Sequence, residues 1–173
     1  MVDTPDRARP RFPAEEVPRV EARVRDQLDR WGVGPGVTLL TGGARGADII
    51  AAEAALERGA TVRLVLAREP GDFLTDSVVL PGTDWEERFW TLIDRVDVEI
   101  VGGSRDDVYV RTNDRLVDRA REVEDQPLAL IVWDGEEGDG PGGTSDLLAR
   151  VVRVSGPDHV VVIDPTPNAS SSP

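Results

Sequence analysis

The chain contains no cysteine, a single histidine and no long apolar run. Without thiols there are no disulfide bridges, thiolate metal sites or cysteine nucleophiles. The one histidine, His159, opens a late apolar segment, where a surface position is expected rather than a catalytic one. No apolar stretch reaches the ~18 residues that a membrane-spanning helix needs. The opening MVDTPDRARPRFP lacks the apolar centre of a secretory signal. A cytoplasmic protein with no membrane association is therefore the expectation. Basic side chains are outnumbered: 20 Lys+Arg against 33 Asp+Glu leave a formal net charge of −13. That charge repels polyanions, so no nucleic-acid polymer is expected as a partner. The acids are spread along the chain and read as a solvated surface, which leaves room for a local basic pocket around a small phosphate.

With 173 residues, 39% of them hydrophobic and 31% charged, the chain is large enough for one soluble domain with a substantial core. Its most informative stretch is VTLLTGGARGADIIAAEAALERGATVRLVLA, residues 37–67. An apolar strand runs into a glycine-rich turn, an Ala/Leu/Ile helix, a glycine stop and a second β-branched strand, which together make one βαβ unit. Gly42, Gly43 and Gly46 permit a tight bend with positive φ and leave room for a ligand. The helix behind them would aim its free N–H groups and positive dipole end at that ligand, for which a phosphate is the usual choice. The block is neither a P-loop, since Gly46 is followed by Ala47 and Asp48, nor a G-x-G-x-x-G fingerprint. The plainer reading is that these glycines only make the turn.

Residues 1–13 are rich in Pro, Arg and Asp, and no regular structure is expected there. The domain proper is expected over residues 14–165, with a disordered tail at 166–173. Val17, Val20, Val24, Leu28 and Trp31 form one helical stripe. The strands predicted next are 37–41 and 61–67, around a helix at 47–58; residues 68–83 read as a loop. Thr83 or Asp84 caps a helix with Trp85, Phe89, Leu92, Ile93 and Val96 on one face. A short strand near 97–101 precedes a helix that opens at 104–107 and reaches about 123. LALIVW, residues 128–133, reads as a strand covered on both faces. A long glycine loop, a helix at 145–154 and a strand at 159–163 complete the pattern. The fold class predicted is α/β: a three-layer, Rossmann-like parallel sheet in a single domain.

TGGARGADIIAAEAALERGA resembles the S/T-G-G-A-x-G-A-D motif of the SLOG superfamily, which includes the SMF and Lonely Guy-like proteins. VRTNDRLVDRA, residues 110–120, resembles that group's Asn-x-x-Leu/Met segment, and WDGEEGDGPGGTSD, residues 133–146, its final P-G-G-x-G-T segment. RPRFP, FLTDSV and WEERF further resemble SLOG domains attached to bacterial signalling and defence proteins. In those domains an apolar strand ending in a glycine turn precedes the Pro-Arg-Phe-Pro segment. Either this version omits that strand or its start lies upstream. The resemblance implies nucleotide or nucleotide-derived ligands bound at glycine-rich turns, with no cofactor, and leaves a homo-oligomer open. Lonely Guy enzymes carry P-G-G-x-G-T-x-x-E, whose glutamate assists cleavage of an N-glycosidic bond. Here Pro141-Gly142-Gly143-Thr144 lacks the x-G step, and Asp146 stands two residues after the threonine. That departure favours binding over phosphoribohydrolase catalysis, in which Asp146 would be the acid.

The three segments fall at C-terminal ends of predicted parallel strands, where open α/β sheets hold ligands. Gly42, Gly43 and Gly46 would wrap a phosphate, with charge added by Arg45 unless that side chain is simply solvated. A carboxylate placed at Gly43 would take the anion's position and crowd the turn. Asp48 either stabilises its helix, by ~0.3–1 kcal/mol, or accepts from a ribose hydroxyl. Gly142 and Gly143, with Thr144 and Ser145 opening the last helix, offer a second anion site or an ordinary N-cap. Asn113 suits a base or ribose edge, or else faces solvent on its helix. Glu53 is expected to face water, and Trp85, Phe89 and Trp90 to serve packing. Trp133 is the expected aromatic neighbour of a ligand. Asp134, Glu136, Glu137 and Asp139 could collect a cation weakly, without the alternating ligands of an EF-hand.

Overall fold

The computed structural model describes residues 1–136 and 141–166. After a 3-10 turn (Ala14–Glu16), helix α1 (Val17–Arg30) buries Val20, Val24 and Leu28, the centre of its predicted stripe. Strand β1 (Thr38–Thr41), helix α2 (Ala47–Glu57) and strand β2 (Thr61–Leu66) form the expected βαβ unit. Helix α2 is buried nearly all round, through Ile49, Ile50, Ala52, Ala54 and Ala55. It packs against α1, against β1 and β2, and against helix α4 (Trp85–Ile93). Enclosure on several sides explains its apolar, alanine-rich sequence.

Residues 68–83, expected as a loop, contain a short helix α3 (Pro70–Phe73) and a π-type turn (Leu74–Val78). Pro70 supplies the preset φ of a first helical residue, and Phe73, Ser77, Val78 and Leu80 are all buried. The apolar spacing was too short and irregular for a helical stripe, yet it seats the segment on the core. Strand β3 (Asp97–Ile100) agrees with its predicted position, and helix α5 (Val108–Val123) opens behind Asp107, at the end of its predicted opening, and stops at 123 as expected.

Strand β4 (Ala129–Val132), helix α6 (Thr144–Ser155), a 3-10 turn (Pro157–His159) and strand β5 (Val160–Ile163) end the regular structure. Every strand pairing is parallel. Hydrogen bonds join β1–β2–β3 in one sheet and β4–β5 in a second, so the single ladder expected from the sequence is divided in two. The two sheets nevertheless share one hydrophobic cluster, which Ile163 joins directly and Leu130 and Val132 pack against. β4 is covered on both faces, though incompletely: Ile131 is buried on one, Leu130 and Val132 pack against the main cluster on the other, and Leu128 before the strand is 53% exposed. Its one bonded neighbour among the described residues is β5, so an edge of the strand is left open. His159 is half-buried, less exposed than expected, and its enclosed Nδ1 has no hydrogen-bond partner among the described residues. No helix among the described residues is long and apolar enough to cross a membrane.

Residues 1–13 have no regular structure, and most of 4–10 is exposed, yet the segment is anchored at both ends. Val2 and Phe12 are 1% and 3% exposed and belong to the main core. Thr166, expected to begin the loose tail, has its carbonyl bonded by Arg19 at 2.8 Å. Residues 167–173 lie outside the described residues, and so does the rest of the expected tail.

Candidate functional site

The turn after β1 needs its glycines mainly for packing. Gly43 has φ +77°, and a Cβ built on it would lie 3.1 Å from Leu66 Cδ2 and close to Leu64. It faces the core, so the sequence argument that a side chain here would replace an anion has the direction wrong. At Gly46, φ +97°, a Cβ would lie 3.1 Å from Phe12 Cε1, Val2 Cγ2 and the Val2 nitrogen. Gly42 faces the Asp48 carboxylate, with Oδ2 3.1 Å from its Cβ position. Arg45 is 8% exposed, neither solvated nor open to an anion as expected. Its Nε donates to the Val2 carbonyl at 2.8 Å and its Nη1 to the Val79 carbonyl at 3.4 Å. A buried guanidinium needs acceptors, and the two carbonyls supply them.

Asp48 takes neither sequence-derived role in simple form. Its Oδ2 accepts from the Ala44 N–H at 3.0 Å, closing the turn from within. Burial pushes its pKa up, while hydrogen bonds from Ala44 and Thr41 and the Met1 α-ammonium partly oppose the rise. Burial likewise lowers the Met1 ammonium, against the attraction of Asp48. An acid with a raised native pKa binds more protons folded than unfolded, so stability should fall as pH climbs from the ordinary value of 3.8. Asp48→Asn keeps an acceptor for Ala44 and removes the charge. Urea denaturation between about pH 4 and pH 7 should show the variant losing less stability than the parent across that window. Identical pH profiles would count against a buried, ionising Asp48.

The second turn is closed by α5. A Cβ on Gly142, φ +83°, would lie 2.6 Å from the Val110 nitrogen and 2.7 Å from the Tyr109 carbonyl carbon. Asn113 is 7% exposed, not on a solvated face. Its Nδ2 donates to the Gly142 carbonyl at 3.1 Å, the Gly143 carbonyl at 3.4 Å and Asp146 Oδ2 at 2.9 Å. Its amide donors hold the turn rather than a base edge. Asp146 Oδ2 also accepts from Arg150 Nε at 3.0 Å, and Arg150 pairs with Asp114. Gly143 occupies the N-cap position of α6, so Thr144 and Ser145 are first-turn residues rather than caps. Gly140, at the start of this turn, lies outside the described residues.

Two residues that the sequence reading passed over connect the turns. The Arg45 N–H donates to the Ser77 carbonyl at 3.0 Å. Ser77 Oγ shares a hydrogen bond with the Tyr109 hydroxyl at 3.3 Å, and the Tyr109 backbone is the surface that Gly142 meets. Ser77 is buried and Tyr109 is 36% exposed. Neither stands out as a site residue in the sequence: Ser77 lies within FLTDSV in the expected loop, and Tyr109 is a lone aromatic at a helix start.

The remaining candidates have structural partners. Glu53 does not face open water; Arg88 grips it in two hydrogen bonds of 2.6 and 3.0 Å and lies over the Trp85 ring at 4.1 Å. Trp85 and Phe89 are core residues as expected, whereas Trp90 is 38% exposed and touches Phe89 edge-on. Trp133 donates from its indole nitrogen to the Glu136 carbonyl at 2.8 Å. Asp134 and Glu136, weighed as cation ligands, are paired to Arg11 and Arg9; Arg11 holds the Asp134 pKa low. Glu137 and Asp139 lie outside the described residues. Among the described residues no group of three His, Cys, Asp or Glu is placed to hold a metal ion.

No protein-family model matches this chain, and no curated protein matches it.

Proposed function

We propose that the chain is a SLOG-like, Rossmann-like domain that binds a small nucleotide or nucleotide-derived ligand between its two glycine turns. The observation that carries this reading is the run of contacts linking those turns, from Arg45 through Ser77 and Tyr109 to Gly142. Each follows the C-terminal end of a parallel strand and precedes a helix of more than two turns. Through Ser77 and Tyr109 both meet the start of α5. Ligands of parallel α/β sheets sit at the carboxyl ends of strands, where helix N-termini favour anions. A three-layer arrangement draws support from α2 and α5, which both contact β1 and β2. The Thr144 and Ser145 hydroxyls, with no hydrogen bond to any described residue, are the donors assigned to the ligand.

Binding without turnover is favoured because Asp146 is committed to Asn113 and Arg150. Calorimetric titration with AMP, GMP, CMP and UMP, beside an assay for free base, tests the reading. One-site binding of at least one nucleotide without base release is expected. Thr144→Val with Ser145→Ala should weaken it by roughly tenfold, the worth of one hydrogen bond to a charged group. Failure of all four nucleotides to bind would overturn the proposal. Base release that stops in Asp146→Asn, which keeps the acceptor for Asn113, would make the chain a phosphoribohydrolase instead.

A further inference from the structure

The chain covers its own first glycine turn. Residues 2–12 form a closed strap: the Asp3 N–H donates to the Phe12 carbonyl at 2.9 Å. Asp3 Oδ2 accepts from the N–H groups of Arg11 and Phe12, each at 2.7 Å. One end of the strap lies on the turn after β1. There the Val2 carbonyl accepts from Arg45 Nε, and Val2 and Phe12 press on Gly46. The other end lies on the loop after β4. There Arg11 grips Asp134 through two hydrogen bonds of 2.7 Å, and Arg9 reaches Glu136 at 3.0 Å. The strap thus bridges the two arms of the site proposed above.

Its position conflicts with an anion. A phosphate approaching the Gly46 end of α2 meets Val2 and Phe12, both buried, where the free amides of the first helical turn should be reached. The lack of a Cβ at Gly46 admits the strap, not an open cradle. The strap's two anchors differ in kind. Apolar burial holds the inner end; the outer end is held by the largely buried Arg11–Asp134 pair and the exposed Arg9–Glu136 pair, of which salt screens only the second effectively.

We propose that residues 2–12 are a gate over the nucleotide site, displaced when the ligand's phosphate enters the first glycine turn. The proposal rests on the binding function above. Ligand affinity is then reduced by the fraction of molecules with the strap in place, and loosening the outer anchor restores it.

The test uses the full chain. Trypsin can cut after Arg7 and Arg11, whereas Arg9 is followed by Pro10. Saturating nucleotide should speed cleavage after Arg11, beside the buried Phe12, by about fivefold or more as the closed population falls, while cleavage after Arg7, in the exposed span, serves as the internal reference. Arg11→Gln combined with Asp134→Asn removes the ion pair without stranding a buried charge. This double variant should bind AMP, or whichever of the four nucleoside monophosphates binds the parent, about tenfold more tightly. Should the variant melt early, the cleavage of the parent protein decides alone. Unchanged or slower cleavage after Arg11 with nucleotide bound would overturn the gate and leave the binding function standing. Weaker binding by the variant would also overturn it, making the strap part of the site. Binding of no nucleotide by either protein would overturn the gate and the binding function together.

Discussion

Gly43→Asp should abolish the folded state, not merely a binding site. The Cβ added at φ +77° points at Leu64 and Leu66, both fully buried. Three penalties combine. A non-glycine residue in that conformation costs about 1–3 kcal/mol. Overpacking a filled core costs typically about 1–3 kcal/mol. A carboxylate without a partner in an apolar site adds several more. Their sum, roughly 5 kcal/mol or above, matches the whole stability of many domains. Gly43→Ala carries the first two penalties only and should melt lower while still folding. Circular dichroism melts of the two variants check the order. A folded Gly43→Asp protein of near-parental stability would show that this turn opens outward, as an anion cradle would.

Gly142→Ala should cost more than Gly43→Ala, at the opposite arm. Its Cβ would stand 2.6–2.7 Å from the backbone of Tyr109 and Val110. That backbone cannot swing aside as a side chain can, so α5 and the turn must separate. The Asn113 bonds to Gly142, Gly143 and Asp146 would lengthen together. A loss of about 3 kcal/mol is expected from the positive φ and the clash combined. Because the same contact joins the two turns, nucleotide affinity should fall with it. Chemical denaturation of the variant gives the first quantity and calorimetry the second. A change below about 0.5 kcal/mol, the range of an ordinary surface substitution, would contradict the close approach.

What the sequence made legible follows from how local each signal is. The βαβ unit at 37–67 was readable because strand, turn and helix each carry their own pattern within a few residues. Helix α1 was readable from its stripe for the same reason. The π-type turn at Leu74–Val78 was not, since its buried residues follow no helical or strand period. The division into two sheets was equally hidden: apolar runs announce strands but not which edges bond. At the site, the sequence picked out the glycines and misjudged their reason. A glycine that admits a ligand and one that admits Leu66 or Tyr109 look alike in one dimension. Arg45 and Asn113 were named as ligand contacts, but their partners lie 43 and 29 residues away in Val2 and Gly142. Long-range pairing of that kind leaves no local trace. The strap shows this most clearly, because Pro- and Arg-rich composition suggested a loose end. Val2 and Phe12, isolated apolar residues within it, anchor it in the core.

The central claim, one nucleotide held between two turns, is tested most directly by following backbone amides during a titration. In a nitrogen–proton correlation experiment with the tightest-binding nucleoside monophosphate, signals of Gly42, Gly46, Ala47, Tyr109, Gly142 and Thr144 should move together and yield a single dissociation constant. Shifts confined to one turn, different constants for the two, or no shifts at all would contradict it.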